Sequence, residues 1–334
     1  MVRSGRLRAY VEALFRVAGV TRGGARAMAD TYLEADLRGI SGHGCRLVPG
    51  MLTKLEDGRL SARSAFTVVR RDGATLVLDA GYAPGPLAVR AATAGAERLA
   101  RIHGVGLVAV HRSGHVGAVG IGAARLAERG LIGIVATQTS APSVALLGGT
   151  GAPVLGNSAI AVAIPGPDHP VLVDLAAGPL SWGRLHEHAR AGRTLPAGCA
   201  VDRCGRPVRD PERAAVLLPS SGRAQALAIV LELLVGAVIG ATPLPTGQDG
   251  RGLLCLAIDP TRLTTAHQLS AGVEAVARAV HDDGVRMPGD RSWRSRATAR
   301  TEGIALDHDT FNALVAAGRR LPGSMPPLVP LAHP

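Results

Sequence analysis

The stretch Val105-Gly-Leu-Val-Ala-Val-His-Arg-Ser-Gly-His-Val-Gly-Ala-Val-Gly-Ile-Gly-Ala-Ala-Arg-Leu-Ala-Glu-Arg-Gly-Leu-Ile-Gly-Ile-Val-Ala-Thr137 changes its hydrophobic period twice. Its first six residues read as a strand, residues 117–129 as a helix and Ile132 to Thr137 as a second strand, an alternation that argues for an α/β layer. Upstream, the β-rich runs Ala65 to Arg70 and Thr75 to Ala80 are split by Arg71-Asp-Gly, a hairpin signal, and 86–103 returns to helix. Downstream, Ala159 to Ile164, Val171 to Asp174 and Leu253 to Ala257 read as strands. A long helix near 222–240 is expected to cover one face, and 264–282 reads as another helix. Both ends are helical. Residues 5–19, 22–38 and about 42–55 show the 3.6-residue period, as does 309–318 before a Pro-rich tail from Leu321, expected to run extended over the surface. One helical domain built from both termini (1–64 and 290–334), with a mixed α/β domain (65–289) inserted, is the predicted organisation.

Composition narrows the function. Apolar residues are 47% and charged residues 19% of 334, which excludes a disordered chain. Aromatic residues are 2%, so aliphatic side chains must fill the core and a stacking platform for single-stranded nucleic acid is not expected. The formal charge of +11 comes from scattered arginines, Lys54 being the sole lysine. With no basic run, the charge suits an anionic substrate or phosphate-bearing cofactor better than nucleic acid. Lys54 sits in a polar Lys-Leu-Glu-Asp-Gly segment, so Schiff-base chemistry has no buried lysine to use, and no Walker A lysine is present. Cys45, Cys199, Cys204 and Cys255 read as reduced thiols, and the pair 199/204 lacks a second pair to complete a metal site, so no metal is expected. Residues 1–8 lack the apolar core of a leader. The apolar stretch 224–241 contains Gln225 and Glu232 and reads as a buried helix rather than a membrane span, so the expectation is a soluble cytoplasmic protein.

Two segments carry candidate chemistry. In Asp36-Leu-Arg-Gly-Ile-Ser-Gly-His-Gly-Cys-Arg46, His43 lies between glycines, where an imidazole packs little and can act as a proton donor at neutral pH. In Arg112-Ser-Gly-His-Val-Gly-Ala-Val-Gly120, small residues at a strand-to-helix turn let a ligand approach the backbone, and the helix start attracts phosphate. The glycine spacing is not the Rossmann fingerprint. Leu147 to Ser158 is a flexible loop able to wrap a ligand or merely turn. His186-Glu-His has no third metal ligand and reads as a solvated face.

These segments resemble the type-2 malate/L-lactate dehydrogenase family, which includes ureidoglycolate, sulfolactate and ketimine (piperideine-carboxylate) oxidoreductases. Asp36 to Pro49 resembles its Asp-Leu-Arg-Gly…Ser-His-Gly…Arg pattern, and Ser113 to Gly117 its Ser-x-His-Phe-Gly segment. Gly130 to Ile134, Gly148 to Ala159, Asp174 to Ala176, Asp202 to Pro211 and Arg286 to Asp290 follow in the family's order. The resemblance implies a non-Rossmann α/β fold, a nicotinamide dinucleotide, a homodimer, and His43 as proton donor. It also implies a cofactor site lined by His115, Val116, Gly117, Ala118, Val119, Asn157, Asp174, Leu175, Ala176, Gly222, Arg223, Arg286, Pro288, Gly289, Asp290 and Arg291. NADP is favoured over NAD because a 2′-phosphate prefers arginine.

The sequence also departs from that pattern. Gly42 stands where the family has serine, Leu47 where an arginine holds the substrate carboxylate, and Arg184 where some members carry an acidic relay partner. His43 is thereby left without a known orienting group. Arg46, i+3 from His43 if the segment is helical, and Arg184 are the expected substitute anion holders, with Leu47 adding apolar surface. The expectation is an NAD(P)H-dependent oxidoreductase acting on a C=O or C=N carbon of a specialised keto or imino (or hydroxy or amino) substrate of secondary metabolism, rather than on simple malate or lactate. The alternative is a ligand-binding descendant that has lost turnover.

Overall fold

The computed structural model describes residues 1–321 and 325–330; the part of the tail at 322–324 and 331–334 lies outside the described residues. Helices α1 (Ser4–Val17), α2 (Arg22–Leu37) and α3 (Val48–Glu56) open the chain. The hairpin β1 (Thr67–Asp72) and β2 (Thr75–Asp79) follows, then α4 (Gly85–His103), β3 (Val105–Ser113), α5 (Val119–Ala127) and β4 (Ile132–Thr137). Short strands β5 (Val144–Ala145) and β6 (Pro153–Leu155) precede β7 (Ala159–Ile164), β8 (Val171–Ala176) and α6 (Trp182–Arg190). After β9 (Ala200–Val201), β10 (Val216–Leu217) and α7 (Gly222–Glu232), β11 (Arg251–Ile258) completes the large sheet, and α8 (Ala266–Asp282), α9 (Asp290–Glu302) and α10 (His308–Arg320) close the chain.

Seven strands form a mixed sheet in the order β1-β2-β3-β11-β4-β7-β8. Strand β11 pairs antiparallel with both β3 and β4, placing Leu254 between Ala109 and Ala136. The β3–α5–β4 unit is therefore split by a strand arriving from far along the chain. Only β2 and β3 pair in parallel, which separates this sheet from a doubly wound parallel one. A second sheet, β6-β5-β10-β9, has strands of only two or three residues.

With few aromatics, the α/β core is filled by Ala, Val and Leu, including Ala92, Ala96, Val108, Val135 and Ala161. Small residues let helix backbones approach the sheet closely. A Cβ on Gly106 of β3 would overlap the carbonyl oxygen of Ala96 in α4, and one on Gly133 of β4 would lie 2.6 Å from that of Ala123 in α5. The other core joins α1–α3 to the C-terminal end: Phe15 and Tyr32 stack at 5.9 Å beside Leu14, Met28, Ile304 and Leu314. Met325 and Leu328 of the tail pack against it.

Two expectations differ from the structure. The helix expected over 42–55 begins only at Val48. Residues 41–43 and 45–47 form two separate 3-10 turns, broken where Gly44 is extended (φ −89, ψ −151). The helix near 222–240 changes to a π-turn over Leu233–Ala237, and its outer face is exposed, with Val230 at 55% and Val238 at 72%. Lys54 belongs to the last turn of α3 and pairs with Asp249 at 2.7 Å. Among the described residues, no helix is long and apolar enough to cross a membrane.

Gly106→Ala should therefore lower stability by about 1–3 kcal/mol or more, because the colliding atom is backbone. Gly272→Ala in exposed α8, where nothing lies within 4 Å of the added carbon, should raise it by about 0.5–1 kcal/mol. Urea unfolding of both variants checks the opposite signs.

Candidate active site

A cleft of ≈ 1150 Å³ runs between the 3-10 turns after α2, the turn between β3 and α5, the end of β8, and the 286–292 segment. The first wall exists because Asp36, in the last turn of α2, accepts a hydrogen bond from the Cys45 backbone at 2.8 Å. A side chain on Gly44 would overlap that carboxylate, so glycine is required there. Gly42 rests against Gly183 of α6, with 3.5 Å from its would-be Cβ to the Gly183 Cα. His43 is thus held between α2 and α6. The second wall is the His115 turn. Gly117 takes φ +78, a conformation that favours glycine, and its N–H donates to His115 Nδ1 at 3.2 Å.

The His43 and His115 rings lie nearly parallel, 9° between planes and 6.0 Å between centroids. Burial lowers the His43 pKa, and the Glu187 carboxylate opposes the shift. His115 is pushed well below the usual imidazole range by burial, then by Arg251, His43 and Lys54. Glu187 also accepts from Ser41 Oγ at 2.9 Å, tying α6 to the His43 turn.

Asp174 is exposed at the cleft wall, and its carboxylate accepts from Gly120 N of α5 at 2.9 Å. The protein packed around that carboxyl raises its pKa to about 6 against this hydrogen bond. Asn157 bridges the Gly178 N–H (2.7 Å) and the Leu180 carbonyl (3.1 Å), so its polar atoms serve the cleft wall. Behind it, buried Glu232 accepts from Gly156 N (2.7 Å), Ser158 Oγ and Gln138 Nε2 (both 2.9 Å), joining three segments of the floor.

Of the residues singled out from sequence, His43, Arg46, Leu47, the 115–119 turn, Asn157, the 174–176 segment, Arg286, Gly289 and Arg291 line this cleft. Arg184, Gly222 and Arg223 are exposed and outside its lining. Pro288 is also outside the lining, its carbonyl accepting from Leu172 N at 3.0 Å, while Asp290 turns to Met287 N and His281. Arg46 reaches the Gly183 carbonyl at 3.5 Å from a 3-10 turn, so the helical offset from His43 does not describe its position. His186 packs on Trp182, Glu187 meets Ser41, and His188 meets the Thr194 carbonyl, so the three point to different partners. Among the described residues, no cluster of three or more His, Cys, Asp or Glu could hold a metal. Sequence reading missed Glu187, Gln138 and Arg251. Glu187 had a visible signal in His186-Glu-His, but its use depends on a contact made 146 residues away.

Residues 2–315 match the malate/L-lactate dehydrogenase family, and the chain belongs to it. It is 33% identical to an L-sulfolactate dehydrogenase of Methanothermobacter thermautotrophicus, over 88% of this chain and 89% of that one. It is 30% identical to a Delta(1)-pyrroline-2-carboxylate reductase of Ancylobacter novellus, over 91% and 93%. A dehydrogenase crystal structure from Sinorhizobium meliloti superposes with a TM-score of 0.87 at 31% identity, covering 95% of this chain and 98% of that one. The chain is accordingly an oxidoreductase of the nicotinamide-dependent class.

Asp36 gives this wall a pH dependence. Its carboxyl is raised by burial to about 6 from 3.8, the Cys45 N–H opposing. A raised folded pKa contributes stability that is complete below about pH 4 and lost as pH rises through about 6. Asp36→Asn keeps an oxygen for the Cys45 N–H and cannot titrate. Urea unfolding between these pH values should show a flatter slope for the variant than for the parent; equal slopes would refute the assignment.

Proposed function

We propose that this protein reduces the C=O or C=N carbon of a 2-oxo acid or cyclic 2-imino acid, or runs the reverse oxidation, with His43 moving the proton. The observation that carries the reading is the His43–His115 pair at the glycine-rich mouth of the cleft, His43 being backed by the Glu187 carboxylate.

The residues present fit a nicotinamide dinucleotide. The cleft is large, Gly117 brings backbone to its surface, and Arg286 and Arg291 supply cations for phosphates. When bound, that group supplies or accepts the hydride. The reading assigns the dinucleotide's walls to the 115–119 turn, Asp174 to Ala176 and the 286–291 segment. NADPH is favoured over NADH on the arginine content of the cleft. Arg46 and Leu47 lie on the substrate side beside His43. For oligomeric state, we propose a homodimer in which a second copy covers the exposed apolar face of Leu227, Val230, Leu233 and Val238.

His43 must carry its proton for reduction and lack it for oxidation. Its partner Glu187 favours the charged form, so Glu187→Gln should lower the His43 pKa further. The pH at which kcat/KM for reduction falls should therefore move downward. His43→Ala should reduce kcat about 10²–10⁴-fold while leaving the reduced-cofactor Kd within a few-fold. Turnover of 2-oxo acids and Δ1-pyrroline- or Δ1-piperideine-2-carboxylate with each cofactor, followed by absorbance, tests both. Unchanged kcat in His43→Ala would sink the proton-donor role, and absence of saturable binding by NADH and NADPH would remove the basis of the reading.

A further inference from the structure

Arg251 opens β11 directly beneath the cleft and is 8% exposed. It stands opposite Ser113 of β3, two residues before His115. Among the described residues, its one side-chain hydrogen bond runs from Nη2 to Ser140 Oγ at 2.6 Å, and its buried Nε has no partner. No carboxylate of the described residues lies within ion-pair distance. The nearby acid, Asp249, is already held by Lys54 through both oxygens, at 2.7 and 2.9 Å. A buried guanidinium with neither counter-ion nor full hydrogen bonding is a costly arrangement unless an anion completes it. Burial pulls its pKa down to about 10, still far above neutrality, so the group stays charged. That charge is felt at the histidine pair, where it helps keep His115 neutral.

We propose that Arg251 is the cation that receives the substrate's anionic group, a carboxylate or sulfonate, in place of the guanidinium that Leu47 cannot supply. The inference rests on the oxidoreductase reading above and assigns its substrate anchor to β11 rather than to Arg46 or Arg184. Arg46 is half-buried and already spends an Nη on the Gly183 carbonyl, and Arg184 is exposed outside the lining. The phosphates of a dinucleotide are the other anions that enter such a cleft. The substrate is favoured because Arg251 lies at the histidine end, whereas Arg286 and Arg291 occupy the 286–292 wall. Ser140 extends the donor set beside it.

The test uses oxamate as a small carboxylate probe, titrated calorimetrically into wild type and into Arg251→Gln and Arg251→Lys, each with and without saturating reduced cofactor. Wild type should bind oxamate saturably. Arg251→Gln should bind it about ten- to a hundredfold more weakly, as expected for loss of a charge-assisted contact. The lysine variant, which keeps the charge but not the planar fork, should fall between them, and it carries the test if the glutamine variant does not fold. Reduced-cofactor Kd should stay within twofold in both. Oxamate binding unchanged in the variants overturns the proposal, as does its absence in wild type. So does a loss of cofactor affinity equal to the loss for oxamate, which would assign Arg251 to a dinucleotide phosphate. Failure of wild type to bind either cofactor refutes the oxidoreductase reading instead, and the unloaded titrations then decide the anion site separately.

Discussion

Helices α4 and α5 lie against the large sheet so closely that Gly106 and Gly133 have no room for a methyl group, and the site depends on that closeness. A Cβ on Gly106 would overlap the Ala96 carbonyl, and one on Gly133 would lie 2.6 Å from the Ala123 carbonyl oxygen. The same restriction reaches the site itself. A side chain on Gly85, the first residue of α4, would overlap the backbone of His115, and one on Gly114 would lie 2.9 Å from Leu60 of the helical core. The turn that carries His115 is therefore wedged between the start of α4 and the helical core that holds Leu60. An aromatic-poor composition and a tightly wedged His115 turn go with the same close packing. Close-packed interiors transmit displacement rather than absorb it, so a methyl group added under the sheet would be felt at the histidines.

The cleft is organised by unequal treatment of similar groups. His115 is held neutral by burial and surrounding cations, whereas His43 faces a carboxylate that restores part of its basicity. Two imidazoles 6.0 Å apart thus have different proton affinities without a difference in covalent structure. Environments that push the pKa values of neighbouring groups apart are a general means of assigning acid and base roles. Glu232 has a different part below them: its carboxylate accepts from donors on two segments, Gln138 on one and Gly156 and Ser158 on the other, and so ties the floor to α7.

What the sequence made legible follows from the range of the interactions concerned. The β1–β2 hairpin, the β3–α5–β4 alternation and the outer helices are written in local period and turn chemistry, and they stand where that chemistry places them. His43 and His115 were visible because glycine flanks both. The insertion of β11 between β3 and β4 was not, since an apolar run does not name its neighbours. Strands of two residues, β5, β9 and β10, have no period to read. The break at Gly44 escaped because helical spacing continues on both sides, while the cause, the Asp36 carboxylate under Cys45, is tertiary. Glu187 and Arg251 were missed for the same reason. Each matters through what faces it across the cleft, and a single sequence holds no record of that.

The two tryptophans divide the protein's light emission between a fixed and a responsive source. Trp293 is buried, its Nε1 donating to the Pro170 carbonyl at 2.8 Å and its ring covered by the Arg38 guanidinium at 3.8 Å and stacked with His169. Its surroundings are protein on all these sides, so its indole spectrum is set by the fold. Trp182 is half-buried at the start of α6 and forms part of the cleft wall. Whatever enters the cleft changes the polarity around that ring, and an absorbing ring system bound nearby drains its excited state. With only two indoles in the chain and only Trp182 in the cleft wall, a change in emission wavelength between the folded-free and folded-occupied states belongs chiefly to one known side chain. The scarcity of aromatic residues that shaped the core thereby leaves the cleft with an optical reporter of its own.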